Sequence, residues 1–225
     1  MTLDPSLRPS PFIRSCPVCG YSGEFRAHPR IGRANATCPG CGGRERHRML
    51  ALYLAPEGAL RLANRRVLHI SPETILERFM AGATSYETSD PELEGMDHRF
   101  DITQIPIPGG LYDAVLCNHV LEHVVDDRAA LSELYRILAP GGLAVITLPV
   151  IEGWEKTYED PAIDTPELRE LYFGRYDHVR YYGRDIRDRI RAAGFALEVF
   201  QPTPQQCVRH AITRGHSVFV GHKRG

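Results

Sequence analysis

The sequence predicts an α/β protein built as a doubly wound sheet, and three stretches carry that prediction. Residues 112–117 (Tyr-Asp-Ala-Val-Leu-Cys) form a short apolar run bounded by Gly109-Gly110 and by polar Asn118-His119, as a buried parallel strand requires. Leu131, Leu134 and Leu138 recur at helical spacing behind Asp126-Asp127, which supply an N-cap and negative charge for the first turn. Pro140-Gly141-Gly142 end that helix, and residues 143–148 (Leu-Ala-Val-Ile-Thr-Leu) make a second buried strand. Strand, helix, strand is a βαβ unit, and open sheets of such units bind ligands beyond the carboxyl ends of their strands. That places Asn118, His119, Glu122 and His123 at the ligand edge.

Upstream, residues 1–15 hold Pro5, Pro9 and Pro11 with few apolar residues and predict an extended lead-in. Two Cys-Pro-x-Cys-Gly motifs follow, with Cys16 and Cys19 in the first and Cys38 and Cys41 in the second. Their separation lies within the C-x2-C-x15–20-C-x2-C window of a structural zinc site. Two residues between cysteines let one tight turn present both thiolates to the same ion, and the glycine after each pair allows a positive φ. Four thiolates leave no open position, so Zn2+ here would be structural. A disulfide pair or unligated thiols are the alternatives; disulfides suit a cytosolic chain poorly. Residues 21–37 are expected to be two short strands of a ribbon. The chain thus divides into a lead-in and ribbon, 1–43, and a main domain, 44–225.

Residues 43–54 enter the main domain as a helix with Met49, Leu50, Tyr53 and Leu54 on one face. Arg44, Arg46 and Arg48 at its start either hold an anion, Arg44 and Arg48 foremost, or form a paired helix terminus. Residues 66–71 (Arg-Val-Leu-His-Ile-Ser) read as the first parallel strand, and 72–80 as a helix capped by Ser71 with Pro72 in its first turn. Residues 83–88 and 98–102 read as the second and third strands, 194–200 as a sixth, and 217–221 as a short seventh. Between 149 and 176 lies a long aromatic insertion of the kind that serves as a lid, with a short helix over 165–171. Residues 201–215 are expected as a polar loop near the substrate mouth.

The composition is that of a soluble globular protein, 43% hydrophobic and 24% charged over 225 residues. No apolar run approaches the roughly 20 residues of a membrane span, and the N-terminus lacks a signal-peptide core, which predicts a cytoplasmic protein without a membrane partner. The net charge is −1 but uneven: residues 1–50 carry eight Arg against Asp4, Glu24 and Glu45, a balance of +5, leaving −6 on the remainder. A basic first segment suits a polyanionic partner; equally, its arginines can neutralise a thiolate-rich metal site. Cys117 and Cys207 read as packing residues.

The wording from Tyr112 to His123, followed by Leu-Tyr-Arg-Ile-Leu-Ala-Pro-Gly-Gly at 134–142, resembles the fourth strand, following helix and fifth strand of class I S-adenosylmethionine-dependent methyltransferases, in particular their type 11 group. The resemblance implies a Rossmann-like seven-stranded sheet whose last strand runs antiparallel beside the sixth. It implies S-adenosylmethionine as cofactor, with Asp90 on the ribose hydroxyls, Asp101 and Ile102 at the adenine, and Asn118 and His119 at the same edge. Glu87 is the runner-up for the ribose. Where the family carries an acidic residue and Gly-x-Gly, this chain has His69-Ile70-Ser71-Pro72-Glu73. Ser71's hydroxyl, helix amides and Glu73 would then take over the methionine part. Substrate-facing residues are implied near 177–183, where His178 is the first candidate for a general base, with His123 and His119 behind it, and Arg180 a candidate anion binder.

The resulting expectation is a methyltransferase acting on a small or compact acceptor such as a metabolite, sugar or natural product. A basic ribbon fused to this fold also resembles RNA methyltransferases, so RNA is the second acceptor class. A non-catalytic scaffold with a degenerate cofactor loop is the third reading.

Overall fold

The computed structural model describes residues 13–29 and 32–225, so most of the expected lead-in lies outside the described residues. Alternating hydrophobic side chains dictate the architecture. The strands β3 (Arg66–Ile70), β4 (Ser85–Ser89), β5 (Tyr112–Asn118), β6 (Leu138–Thr147), β7 (Ala196–Phe200) and β8 (Val218–His222) form one sheet in the order β4-β3-β5-β6-β8-β7. β4, β3, β5 and β6 are mutually parallel, and β8 lies antiparallel between β6 and β7. The expected seventh strand therefore sits where the resemblance put it.

Each strand feeds two cores, because successive residues point to opposite faces. Leu68, Ile70, Val115, Cys117, Ala144 and Ile146 face one side, where α2 (Asp127–Ile137) and α4 (Ile186–Ala192) contribute Leu131, Leu134, Ile186 and Ile190. Val67, Ala114, Leu116, Val145 and Val220 face the other, packed on Met49, Leu50 and Leu54 of α1 (Glu45–Leu54). The ribbon joins that second core through Cys16, Val18, Phe25 and Cys38. Its strands β1 (Arg14–Ser15) and β2 (Ser22–Gly23) pair antiparallel, and a further bridge joins Arg26 to Thr37.

Local caps fix the ends of these elements. Asp126 accepts the Ala129 N–H at the start of α2. At the other end Lys223 Nζ donates to the carbonyls of Tyr135, Arg136 and Leu138, groups that a helix end leaves unpaired. In the insertion, α3 (Pro166–Phe173) has Thr165 as its N-cap and Gly174 in the left-handed conformation at its end. Trp154, Tyr158, Phe173 and Tyr181 pack edge to face and tilted around one another, which ties the insertion to the segment after it.

Four expectations are corrected. Residues 98–102 contribute a single parallel bridge, Ser89 to His98, so the sheet has six strands rather than seven among the described residues. The chain turns instead, because Asp101 Oδ1 accepts both the N–H and the hydroxyl of Thr103. The segment after β3 is a 3₁₀ helix, Thr74–Met80, and Ser71 does not cap it, since its φ of 46° is left-handed. Leu138 opens β6 instead of closing α2. Residues 201–215 contain α5 (Pro204–His210), which packs on β1: the His210 ring bonds the Ser15 carbonyl at 2.8 Å.

Candidate active site and metal centre

The ribbon cysteines converge through two equivalent turns. The Gly20 N–H donates to the Cys16 carbonyl, and the Gly42 N–H to the Cys38 carbonyl, with φ of 79° and 72° at the two glycines. Sγ of Cys16 and Cys41 lie 3.8 Å apart, and Sγ of Cys19 and Cys38 3.7 Å apart. A tetrahedral ion with metal–sulfur bonds of about 2.3 Å sets sulfur–sulfur edges of about 3.8 Å, whereas a disulfide needs about 2.05 Å. The four free thiols therefore fit zinc and are not paired as disulfides. Burial, with the neighbouring Cys38 thiol, pushes Cys16 up to about 11, so a cation is what would let that thiol ionise at neutral pH.

Arg48, one of the arginines for which the sequence leaves an anion-binding and a structural role both open, takes the structural one: it is fully buried and holds this ribbon to the main domain. Its guanidinium donates to the carbonyls of Asn35, Ala36 and Gly43 on the ribbon side, and of His210 and Ala211 at the end of α5. Arg33 pairs with Glu45, and Arg46 with Glu73. Arg44 is exposed at the start of α1, where its backbone N–H donates to His47.

At the carboxyl ends of β3, β4 and β5 a cleft of about 790 Å³ opens, within the range of small-ligand sites. Ser71, Asp90, Asp101, Ile102, His119 and His123 of the predicted site residues line it. Ser71 and His119 both adopt left-handed backbone, φ 46° and 55°. Strain of this kind in residues other than glycine is concentrated at functional sites. Ser71 thus keeps a conformation that glycine adopts most readily, although the glycine itself is absent. Asp90 Oδ1 accepts the N–H groups of Glu92 and Leu93 at 2.9 Å each. Burial acts to raise its pKa, but these bonds and the Ser71 hydroxyl outweigh it and hold the carboxyl below its ordinary range. With Glu92, Asp101, Asp126 and Asp177 also on the walls against Arg169, the cleft is acidic.

Other expected residues lie elsewhere. His69 is fully buried within β3, its Nδ1 3.1 Å from the Tyr86 hydroxyl. Glu73 is turned away to Arg46 and His47, which overcome its burial and depress its pKa, and neither it nor Pro72 lines the cleft. Glu87, the ribose runner-up, is held by His98 and by the Tyr112 hydroxyl, each at 2.7 Å. Asn118 is buried and accepts from Thr147 at 3.0 Å. Arg180 is not available to an anion: it is buried and bonds Glu159 and the carbonyls of Leu121, Val124 and Val125.

His178 is also buried, behind His123, with the two rings edge to face at 4.8 Å. Burial lowers its pKa, partly opposed by Glu122. His119 Nδ1 lies 3.0 Å from Glu122 Oε1, and Glu122 is 1% exposed. The role of Glu122 escaped sequence reasoning, although its place in His-Val-Leu-Glu-His at 119–123 put it at the ligand edge.

Comparison with known proteins agrees with the geometry. Residues 39–146 match the family model of a methyltransferase domain. A ubiquinone/menaquinone biosynthesis C-methyltransferase of Vibrio campbellii is 23% identical over 128 residues, 55% of this chain and 45% of the relative, so the chain spans under half the length of that relative. A chain of the Haloferax volcanii complex between the Trm112 methyltransferase activator and a methyltransferase superposes with TM-score 0.55 at 18% identity, covering 80% of this chain and 91% of that one. An S-adenosylmethionine-dependent methyltransferase of Mesorhizobium loti gives TM-score 0.54 at 15% identity, covering 73% and 94%. The two structural likenesses concern the fold; the match to a methyltransferase domain spans just under half of the chain and takes in the ordered landmarks from β3 to β6.

Proposed function

We propose that the protein transfers a methyl group from S-adenosylmethionine to a small oxygen- or carbon-nucleophile acceptor bound in the cleft. The observation that carries the proposal is the convergence of Ser71, Asp90, Asp101 and His119 on one acidic cleft at the carboxyl edge of the sheet. Bound there, S-adenosylmethionine supplies an activated methyl group on a cationic sulfur. The cleft's carboxylates favour that positive charge. Asp90, aimed by the amides of Glu92 and Leu93, suits a pair of ribose hydroxyls. Asp101 and the Ile102 amide suit the adenine edge. Methyl transfer asks chiefly for alignment, and the left-handed turns at Ser71 and His119 provide rigid walls for it.

Where the acceptor must lose a proton, His119 is the side chain placed to take it. With Nδ1–H donated to Glu122, its Nε2 lone pair is left for the cleft. His178, buried behind His123, is less well placed.

The destinations of the N-terminal arginines favour a small acceptor over RNA. Arg33, Arg46 and Arg48 are engaged within the chain, which leaves less of the basic segment for phosphate. The C-methyltransferase relative, named for quinone biosynthesis, points the same way. The test is to incubate the zinc-loaded protein with methyl-labelled S-adenosylmethionine and either a small-metabolite extract or total RNA. Label in the metabolite fraction supports the proposal; label confined to RNA would replace it with the RNA reading.

A further inference from the structure

We infer that Glu122, His123 and His178 form a second metal site, separate from the four cysteines, that holds a divalent transition ion such as zinc on the wall of the cleft. One donor atom from each of the three lies within 4.8 Å of the others. Two imidazoles and one carboxylate are a ligand set of catalytic zinc sites, in which three protein ligands leave a position open.

Two buried atoms within this cluster are left without a partner. Glu122 Oε2 and His178 Nδ1 have no hydrogen-bond partner among the described residues, on side chains belonging to residues only 1% and 8% exposed. Leaving such groups unpaired costs about 1–3 kcal/mol each, so a fold that keeps both has a use for them. A divalent ion would satisfy both.

The surroundings are those of a ligand shell. His123 places Nδ1 3.1 Å from the Asp177 carbonyl and 3.4 Å from its carboxylate, which leaves Nε2 free to coordinate. A ring nitrogen bonded to a carbonyl or carboxylate is the arrangement that orients metal-binding histidines. Glu122 is likewise held, its Oε1 3.0 Å from His119 Nδ1. The two acidic groups, Glu122 and Asp177, face one cation, Arg175, which Asp177 binds at 3.0 Å.

His123 and Asp177 line the cleft, so the ion's open position would face the acceptor and suit an oxygen ligand. Glu122 and His123 belong to the turn after β5, whereas His178 belongs to the segment after the lid. The ion would therefore also fasten the lid to the sheet. This inference uses the proposed acceptor cleft only for its location.

The test counts zinc by elemental analysis after dialysis against micromolar free Zn2+, without S-adenosylmethionine, so its failure is distinct from failure of the methyl-transfer reading. The native protein is expected to retain two zinc ions per chain. His123→Ala, whose side chain is part-exposed and whose loss should leave the fold intact, should retain one, as should Glu122→Gln. Cys38→Ser should keep the cleft ion alone, and with Co2+ in its place should show no thiolate-to-cobalt absorption. One zinc in the native protein, or two in His123→Ala, would overturn the site.

Discussion

Ser71 and His119 leave neighbouring parallel strands in the same left-handed conformation, and both line the cleft. Two such residues on adjacent strand ends make the cleft floor a fixed backbone feature. Ser71→Val should therefore weaken S-adenosylmethionine binding at least about tenfold, because a β-branched side chain resists positive φ. Ser71→Gly should keep affinity within a few-fold, since glycine adopts the turn freely. Titration calorimetry separates the two; equal losses would assign the role to the hydroxyl instead.

Arg48 connects three ribbon carbonyls to two at the end of α5. Arg48→Met should lower stability by about 3–5 kcal/mol, because buried acceptors lose a charged donor that water cannot replace. Urea unfolding measures this. A loss below about 1 kcal/mol would mean that the ribbon is held chiefly by its apolar contacts.

His69 supplies a pH signature. Burial lowers its pKa to about 4, against an ordinary value near 6.5. The unfolded chain therefore takes up a proton that the folded chain refuses. The stability this group contributes is complete above about pH 6.5 and is lost as pH falls towards 4. The loss amounts to about 3 kcal/mol. His69→Leu should flatten that part of the stability curve. The check is the difference between native and variant unfolding free energies at pH 7 and pH 4.5, and a difference that does not change with pH would contradict it.

Much of this was legible because patterns of hydrophobicity and turn residues are local. The run at 112–118, the Pro-Gly-Gly after α2, Thr165-Pro166 before α3 and the paired Cys-Pro-x-Cys-Gly turns each encode their own element. The choice of partners was not local. Glu73 reads as a cofactor ligand until Arg46 and His47, 27 and 26 residues earlier, are folded onto it. Arg180 reads as an anion binder, and Arg48 as either an anion binder or a structural residue, until distant carbonyl partners come into view, more than 50 residues away for Arg180 and, for Arg48, at His210 and Ala211. Glu122 reads only as one residue of the ligand edge; its closeness to His178 appears when the segment after the insertion is folded onto it.

The most direct test of the account is titration of S-adenosylmethionine into the zinc-loaded protein, alongside Asp101→Ala. Asp101 is exposed and, among the described residues, its side chain bonds only Thr103, so its replacement should spare the fold. The account predicts micromolar binding to the native chain and a loss of at least about tenfold in the variant, the scale of one charged hydrogen bond. No binding by the folded native protein at millimolar cofactor would contradict the claim that this glycine-free cleft holds S-adenosylmethionine.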